Sequence, residues 1–144
     1  MAICLHNANK NKVGDCIKPI KDSGKRQVFE TGSRRDTREG KGRWDLLPFY
    51  GLREVAQHYE GGSVKYGDRN WEKGQPLSRY IDSAIRHLMK TMANLQDENH
   101  AAAAAWNILC FIETKKRIEL GVLPKELDDM PDYGDEYANG IEGE

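Results

Sequence analysis

Residues 101–112 read Ala-Ala-Ala-Ala-Ala-Trp-Asn-Ile-Leu-Cys-Phe-Ile, a stretch that leaves a helix with almost no polar side. A helix that is apolar nearly all round cannot lie on a surface. It belongs in the middle of a bundle or in an interface between subunits. The pattern predicts a helix from about Glu98 to Leu120, with Gly121 as the residue that closes it. The rest of the chain has to cover this segment.

Two amphipathic segments precede it. Asp45 and Pro48 mark a helix start, and Phe49, Leu52, Val55, Ala56 and Tyr59 then share one stripe. Arg53, Glu54, Gln57 and His58 occupy the other side, and Gly61-Gly62 predicts the end of that helix near Glu60. Pro76 and Ser78 introduce a second helix to about Leu95. Its apolar stripe is Ile81, Ala84, Ile85, Leu88, Met92 and Leu95, and its polar stripe is Arg79, Asp82, Ser83, Arg86 and Lys90. Residues 123–127 allow one more turn. The fold class that follows is all-α, a helical bundle of three to four helices with an irregular basic N-terminal arm. So few helices bury little surface alone, which predicts a homo-oligomer. The helix 98–120 is its expected interface, because five successive alanines let backbones approach closely.

Composition limits the function classes. The chain has 144 residues, 31% of them charged, and a net charge of −1. It predicts a basic arm over residues 1–40, a helical domain over 41–132 and an acidic disordered tail over 133–144. No apolar run approaches the roughly 20 residues that cross a bilayer, so no membrane is expected. The opening Met-Ala-Ile-Cys-Leu-His is too short for a signal-peptide core. Cys4, Cys16 and Cys110 lack metal-type spacing and fit a reducing cytoplasm, with Cys110 as a small core residue. From Lys10 to Arg43 eleven basic residues face five acids, yet no basic helix or recognition motif accompanies them, so nucleic-acid binding is not expected.

The candidate chemistry lies in three places. Lys65-Tyr66-Gly67-Asp68-Arg69-Asn70-Trp71 combines cations, two aromatic rings and an amide around a glycine hinge. Cations suit phosphate oxygens, π-faces suit a base, and an amide suits its edge, although aromatic residues in a loop also cap ordinary cores. Arg79, Arg86 and His87 downstream add positive groups, as do Lys41 and Arg43 beside the flexible Gly40 and Gly42. Asp97, His100, Ala104 and Asn107 share a stripe of the third helix. There they form either a polar pocket wall, with Asp97, Glu98 and His100 as metal or water ligands, or a helix cap at His100 and a backbone bond at Asn107. Glu54 and His58, at i and i+4, suit one metal or an ordinary exposed pair. No P-loop, His-Glu-x-x-His, paired Cys-x-x-Cys or Gly-x-Ser-x-Gly motif is present.

Several of these segments occur together in a recognisable order: residues 21–26, Arg35-Asp36, residues 39–48, the 65–71 loop, Arg86-His87, residues 97–100, Ala105-Trp106-Asn107 and residues 123–129. Over about residues 21–132 the chain resembles a phage-associated family named for its place at the N-terminus of dATP/dGTP diphosphohydrolases. In helical character it is similar to the MazG-like all-α pyrophosphatases. The resemblance implies hydrolysis of a (deoxy)nucleoside triphosphate to a monophosphate and pyrophosphate in the cytoplasm, the host cytoplasm for a phage protein. It also implies magnesium, for which Glu54, Asp97 and Glu98 are the expected ligands, with His100 beside them in the catalytic set. MazG-like helices carry Glu-x-x-Glu and Glu-x-x-Asp patterns; here Glu54 is followed by Gln57 and Asp97 by His100. That departure leaves a second expectation open, a non-catalytic sponge that sequesters a host signalling nucleotide and so serves anti-defence. A structural helical protein is the third.

Overall fold

The computed structural model describes residue 22 and residues 24–134. The expectations for Cys4, Cys16 and the start of the arm, and for the acidic tail from residue 135, lie outside the described residues. The chain divides into two compact units at Asp45, each described by itself.

The smaller unit holds an antiparallel hairpin, β1 (Arg26–Val28) and β2 (Arg34–Asp36). Its register sets Arg26 opposite Asp36, and this cross-strand pair is bonded at 2.9 Å. Gly32, at φ 82°, donates its N–H to the Phe29 carbonyl at 2.8 Å and turns the chain between the strands.

The larger unit is built from α1 (Phe49–Tyr66), α2 (Leu77–Met92) and α3 (His100–Glu119). Short 3-10 turns stand at Asn70–Lys73 and Lys125–Leu127. The protein is thus mostly helical, as its apolar periodicity predicts. α3 packs mainly along α2 and also takes α1, while α1 and α2 scarcely touch. The α2–α3 seam is antiparallel, since Tyr80 meets Thr114 at one end and His87 meets His100 at the other. Leu77, Tyr80, Cys110 and Ile118 form its core, with Tyr59, Trp71, Trp106, Leu123 and Leu127 packed around them. Burial raises the pKa of the Cys110 thiol, as expected for a small core residue.

The helix ends are satisfied locally. The Asn99 side chain accepts the Ala102 N–H at 3.0 Å and caps α3. Gly121, at φ 71°, closes α3 as expected, with its N–H on the Ile118 carbonyl and that of Val122 on Arg117. At the start of α2, the Asp129 carboxylate accepts from both the Ser78 N–H and its hydroxyl.

Three sequence expectations need correction. α1 does not end at Gly61-Gly62 but runs on to Tyr66 and stops at Gly67, φ 87°. Glycine in a helix costs about 1 kcal/mol relative to alanine, which discourages the helix without forbidding it. The expected stripe of α1 is only partly covered: Val55 and Tyr59 are half-buried, but Phe49 and Leu52 are exposed. On α2 the buried face is Leu77, Tyr80 and Ala84; Ile85, Leu88 and Met92 lie outside it. Tyr80 and Leu77 continue the line of Ala84 one and two turns toward the start of α2, and this is the line that α3 covers. Ala102, Ala103 and Ala104 are buried within the chain itself, while Leu109 and Ile112 of the same helix are exposed.

Leu77 is fully buried in the α2–α3 seam. Leu77→Ala is therefore expected to lower unfolding free energy by about 2–5 kcal/mol, measured by urea denaturation followed by circular dichroism. A loss below about 1 kcal/mol would show that this seam is not the centre of the core.

Candidate functional site

Because α1 and α2 lean on α3 while barely meeting, a cleft opens between them. Trp106 of α3 sits at its base, with ring centroids 5.9 Å from Tyr59 and 5.7 Å from His58 on α1, and 6.4 Å from Tyr80 on α2. The cleft has two adjoining parts, of about 650 Å³ and 550 Å³, within the size range of small-molecule sites. Gly62, Tyr66, Ser83, Trp106 and Asn107 line both.

The first part is cationic and aromatic. Arg69, Asn70 and Trp71 enter from the loop after α1, and Arg79 and Arg86 from the polar stripe of α2. Arg69 holds a left-handed backbone at φ 56°, an uncommon conformation for a non-glycine residue. Arg86 is ion-paired to Asp82 one turn away. Trp71 has the Arg117 guanidinium 5.2 Å from its ring centre and packs against the core, and it also lines the cleft. Tyr66 remains well exposed, with the Lys65 ammonium 5.0 Å from its ring. Asn107 is buried, and its amide donates to the Ala103 carbonyl at 2.8 Å. That bond leaves its oxygen as the acceptor available to the cleft.

The second part carries acids and imidazoles. Glu54, His58, Lys65, His87 and Glu98 line it. The Glu98 Oε1 atom lies 3.1 Å from His87 Nδ1 and 3.0 Å from His100 Nδ1, and the two ring nitrogens are themselves 3.1 Å apart. On its other side His100 Nε2 meets Asp97 Oδ1 at 2.8 Å, a contact that holds the Asp97 carboxyl below its ordinary pKa. Burial lowers the pKa of His87, against an upward pull from Glu98.

The sequence-predicted residues are thus distributed unevenly. Lys65, Tyr66, Asn70, Trp71, Arg79, Arg86, His87 and Asn107 meet around one cleft, together with Glu54 and Glu98. Lys41 and Arg43 belong to the hairpin unit, where Lys41 lies 4.0 Å from Asp36 and Arg43 is doubly bonded to Asp45. The expected carboxylate trio does not form the metal-capable group. Among the described residues that group is His87, Glu98 and His100. Asp97 is occupied by His100, and Glu54 accepts the Asn99 amide at 2.8 Å. His100 is also not the cap of α3, since Asn99 fills that place.

Sequence reasoning missed the cleft roles of Gly62, Ser83 and Trp106. Trp106 carried a signal, being the one large aromatic beside a buried amide in an otherwise apolar run. Gly62 carried one too, because a glycine retained inside a helix asks for a reason in space.

A model of the family described as dATP/dGTP diphosphohydrolase, N-terminal, matches residues 31–121. The chain belongs to that family. The match takes in all three helices and every cleft residue named above, so the chain is tied at a coarse level to nucleotide hydrolysis. No curated protein and no solved structure matches it.

Gly62 gives this family member a direct test of the cleft. A Cβ placed there meets nothing within 4 Å, so no packing contact demands glycine. Gly62→Ala is expected to stabilise the protein by about 0.5–1 kcal/mol through helix propensity. Gly62→Leu is expected to weaken ligand binding by about tenfold or more while the fold persists, because the side chain enters both parts of the cleft. Thermal melts and nucleotide titrations on the same samples check both.

Proposed function

We propose that the cleft binds a (deoxy)nucleoside triphosphate and hydrolyses it to a monophosphate and pyrophosphate. The observation that carries this reading is the cleft on Trp106 and Asn107, with three arginines lining one part and carboxylates and imidazoles the other, within the region matched by the family. Arg79, Arg86 and Arg69 are placed to neutralise phosphate, and Arg86 is already oriented by Asp82. Tyr66 offers a free ring face for a base, and Asn70 and Asn107 offer amides for its edge or the sugar. The family's description favours dATP or dGTP as substrate.

In this reaction a water oxygen bonds to the α-phosphorus as the bond to the α–β bridging oxygen breaks. The bridging oxygen leaves with pyrophosphate, and the water proton passes to a carboxylate. Glu54 and Glu98, beside the imidazoles of the second part, are our candidates to take it. Magnesium fits the donor set poorly, because the clustered atoms are two imidazole nitrogens and one oxygen, whereas magnesium prefers oxygen throughout.

A second reading, a nucleotide-sequestering protein, is favoured by the occupied acids. Glu54 and Asp97 are each bonded to a neighbouring side chain, while the arginine and aromatic groups serve binding without turnover. Under either reading we infer a homo-oligomer. Its support is the exposed apolar surface of Ile85, Leu88, Met89 and Met92 on α2 and of Leu109 and Ile112 on α3.

The test incubates the full chain with each common nucleoside triphosphate and a divalent metal, and measures both binding and pyrophosphate release. Arg79→Ala and Arg86→Ala are each expected to weaken binding by about tenfold to a hundredfold, and Glu54→Gln to slow turnover with binding kept. Binding without pyrophosphate, with nucleotide recovered intact after heat denaturation, selects sequestration. No binding of any nucleotide rejects both readings.

A further inference from the structure

We propose that His87, Glu98 and His100 form a binding site for a borderline transition-metal ion such as Mn(II) or Zn(II), selected over magnesium. This goes beyond nucleotide hydrolysis and does not depend on it, since it rests on the arrangement of three donor atoms.

The triangle His87 Nδ1, His100 Nδ1 and Glu98 Oε1 has sides of 3.1, 3.0 and 3.1 Å. Three donors about 2.1 Å from one six-coordinate ion, at right angles to one another, stand about 3.0 Å apart. A tetrahedral ion at the same bond length spreads them to about 3.4 Å, so the triangle lies closest to one face of an octahedron, the geometry of Mn(II), and Zn(II) would open it slightly or expand its own shell. The opposite face is left for water or for oxygen atoms of a ligand, and His87 and Glu98 both line the cleft from which these would come.

The orientation of the rings supports a cation at this point. His100 turns its Nε2 edge to Asp97 at 2.8 Å, which directs its Nδ1 to the place where Glu98 Oε1 and His87 Nδ1 converge. A metal ion at that place would satisfy all three atoms together. The Asp97–His100 contact is also the arrangement that fixes the tautomer and orientation of metal-bound histidines. His100 is held further by its place in the fold, with its side chain 1% exposed, so this donor is rigid.

The donor types set the metal class. Two imidazoles and one carboxylate suit Mn(II), Fe(II), Co(II), Ni(II) or Zn(II) better than magnesium or calcium, which favour oxygen donors throughout. The three open positions give the ion a means to hold phosphate oxygens, so metal and nucleotide binding would strengthen one another.

The test uses untagged full-length protein, stripped of metal by a chelator and free of nucleotide. Calorimetric titration with Mn(II), Zn(II) and Mg(II) is expected to show one Mn(II) or Zn(II) ion per chain, bound at least about tenfold more tightly than magnesium. Glu98→Gln and His87→Ala are each expected to weaken that binding by about tenfold or more. Both side chains are partly exposed, so these variants avoid the buried His100, and circular dichroism verifies their helices. Absence of Mn(II) and Zn(II) binding overturns the proposal. Equal affinity for magnesium, or binding that both substitutions leave intact, overturns it as well. Since no nucleotide is present, each of these results is separate from success or failure of the hydrolytic reading.

Discussion

Trp106 sets the spacing on which the candidate site depends. Its ring projects from α3 toward Tyr59 and His58 on α1 and toward Tyr80 on α2, so it stands between two helices that pack on α3 and scarcely on each other. Had α1 packed directly on α2, the polar stripe of α2 would face a protein surface. With Trp106 as a wedge, Arg79, Ser83, Arg86 and His87 face an open cleft. The run of alanines supports this placement. Small side chains at Ala102, Ala103 and Ala104 let the neighbouring helices approach α3 closely on either side of the one large ring.

The same geometry explains why polar residues persist along α3. His100, Asn107 and Thr114 are buried among apolar neighbours, yet no buried side-chain polar atom lacks a partner among the described residues. Thr114 bonds the Tyr80 hydroxyl and locks the seam, whereas Asn107 and His100 use one edge for the fold and present the other toward the cleft or its metal-ligand cluster. A core made only of leucine would be simpler to stabilise. Asn107 and His100 thus join the fold to the candidate site, while Thr114 serves the seam, and all three lie within the family match.

Much of this was legible in the sequence, and the failures have identifiable causes. All-round apolarity located α3, and Gly121 located its end. The Gly61-Gly62 pair misled because glycine is a common stop but not an obligatory one, and a cleft gives it a different use. The expected stripe of α2 is right at Ala84 and partly so at Ile81, but it starts too late, because Leu77 and Tyr80 stand in the first turn ahead of it. The donor cluster was half legible. Glu98 and His100 stood out as ligands, but His87 is on another helix, and no spacing within one helix reveals it. Its signal was topological: in an antiparallel pair joined by a short loop, the end of one helix faces the start of the next.

The central claim is that one cleft, floored by Trp106 and Asn107, holds a nucleotide at its cationic end and a metal at its imidazole end. A crystal structure with Mn(II) and a non-hydrolysable dATP analogue, phased to show the manganese by its anomalous signal, tests both halves together. The account predicts a manganese peak about 2.0–2.2 Å from His87 Nδ1, His100 Nδ1 and Glu98 Oε1, with the triphosphate over Gly62 and its oxygens reaching Arg79 and Arg86. Nucleotide ordered elsewhere on the chain, or manganese bound only to phosphate and not to the two histidines, would contradict it.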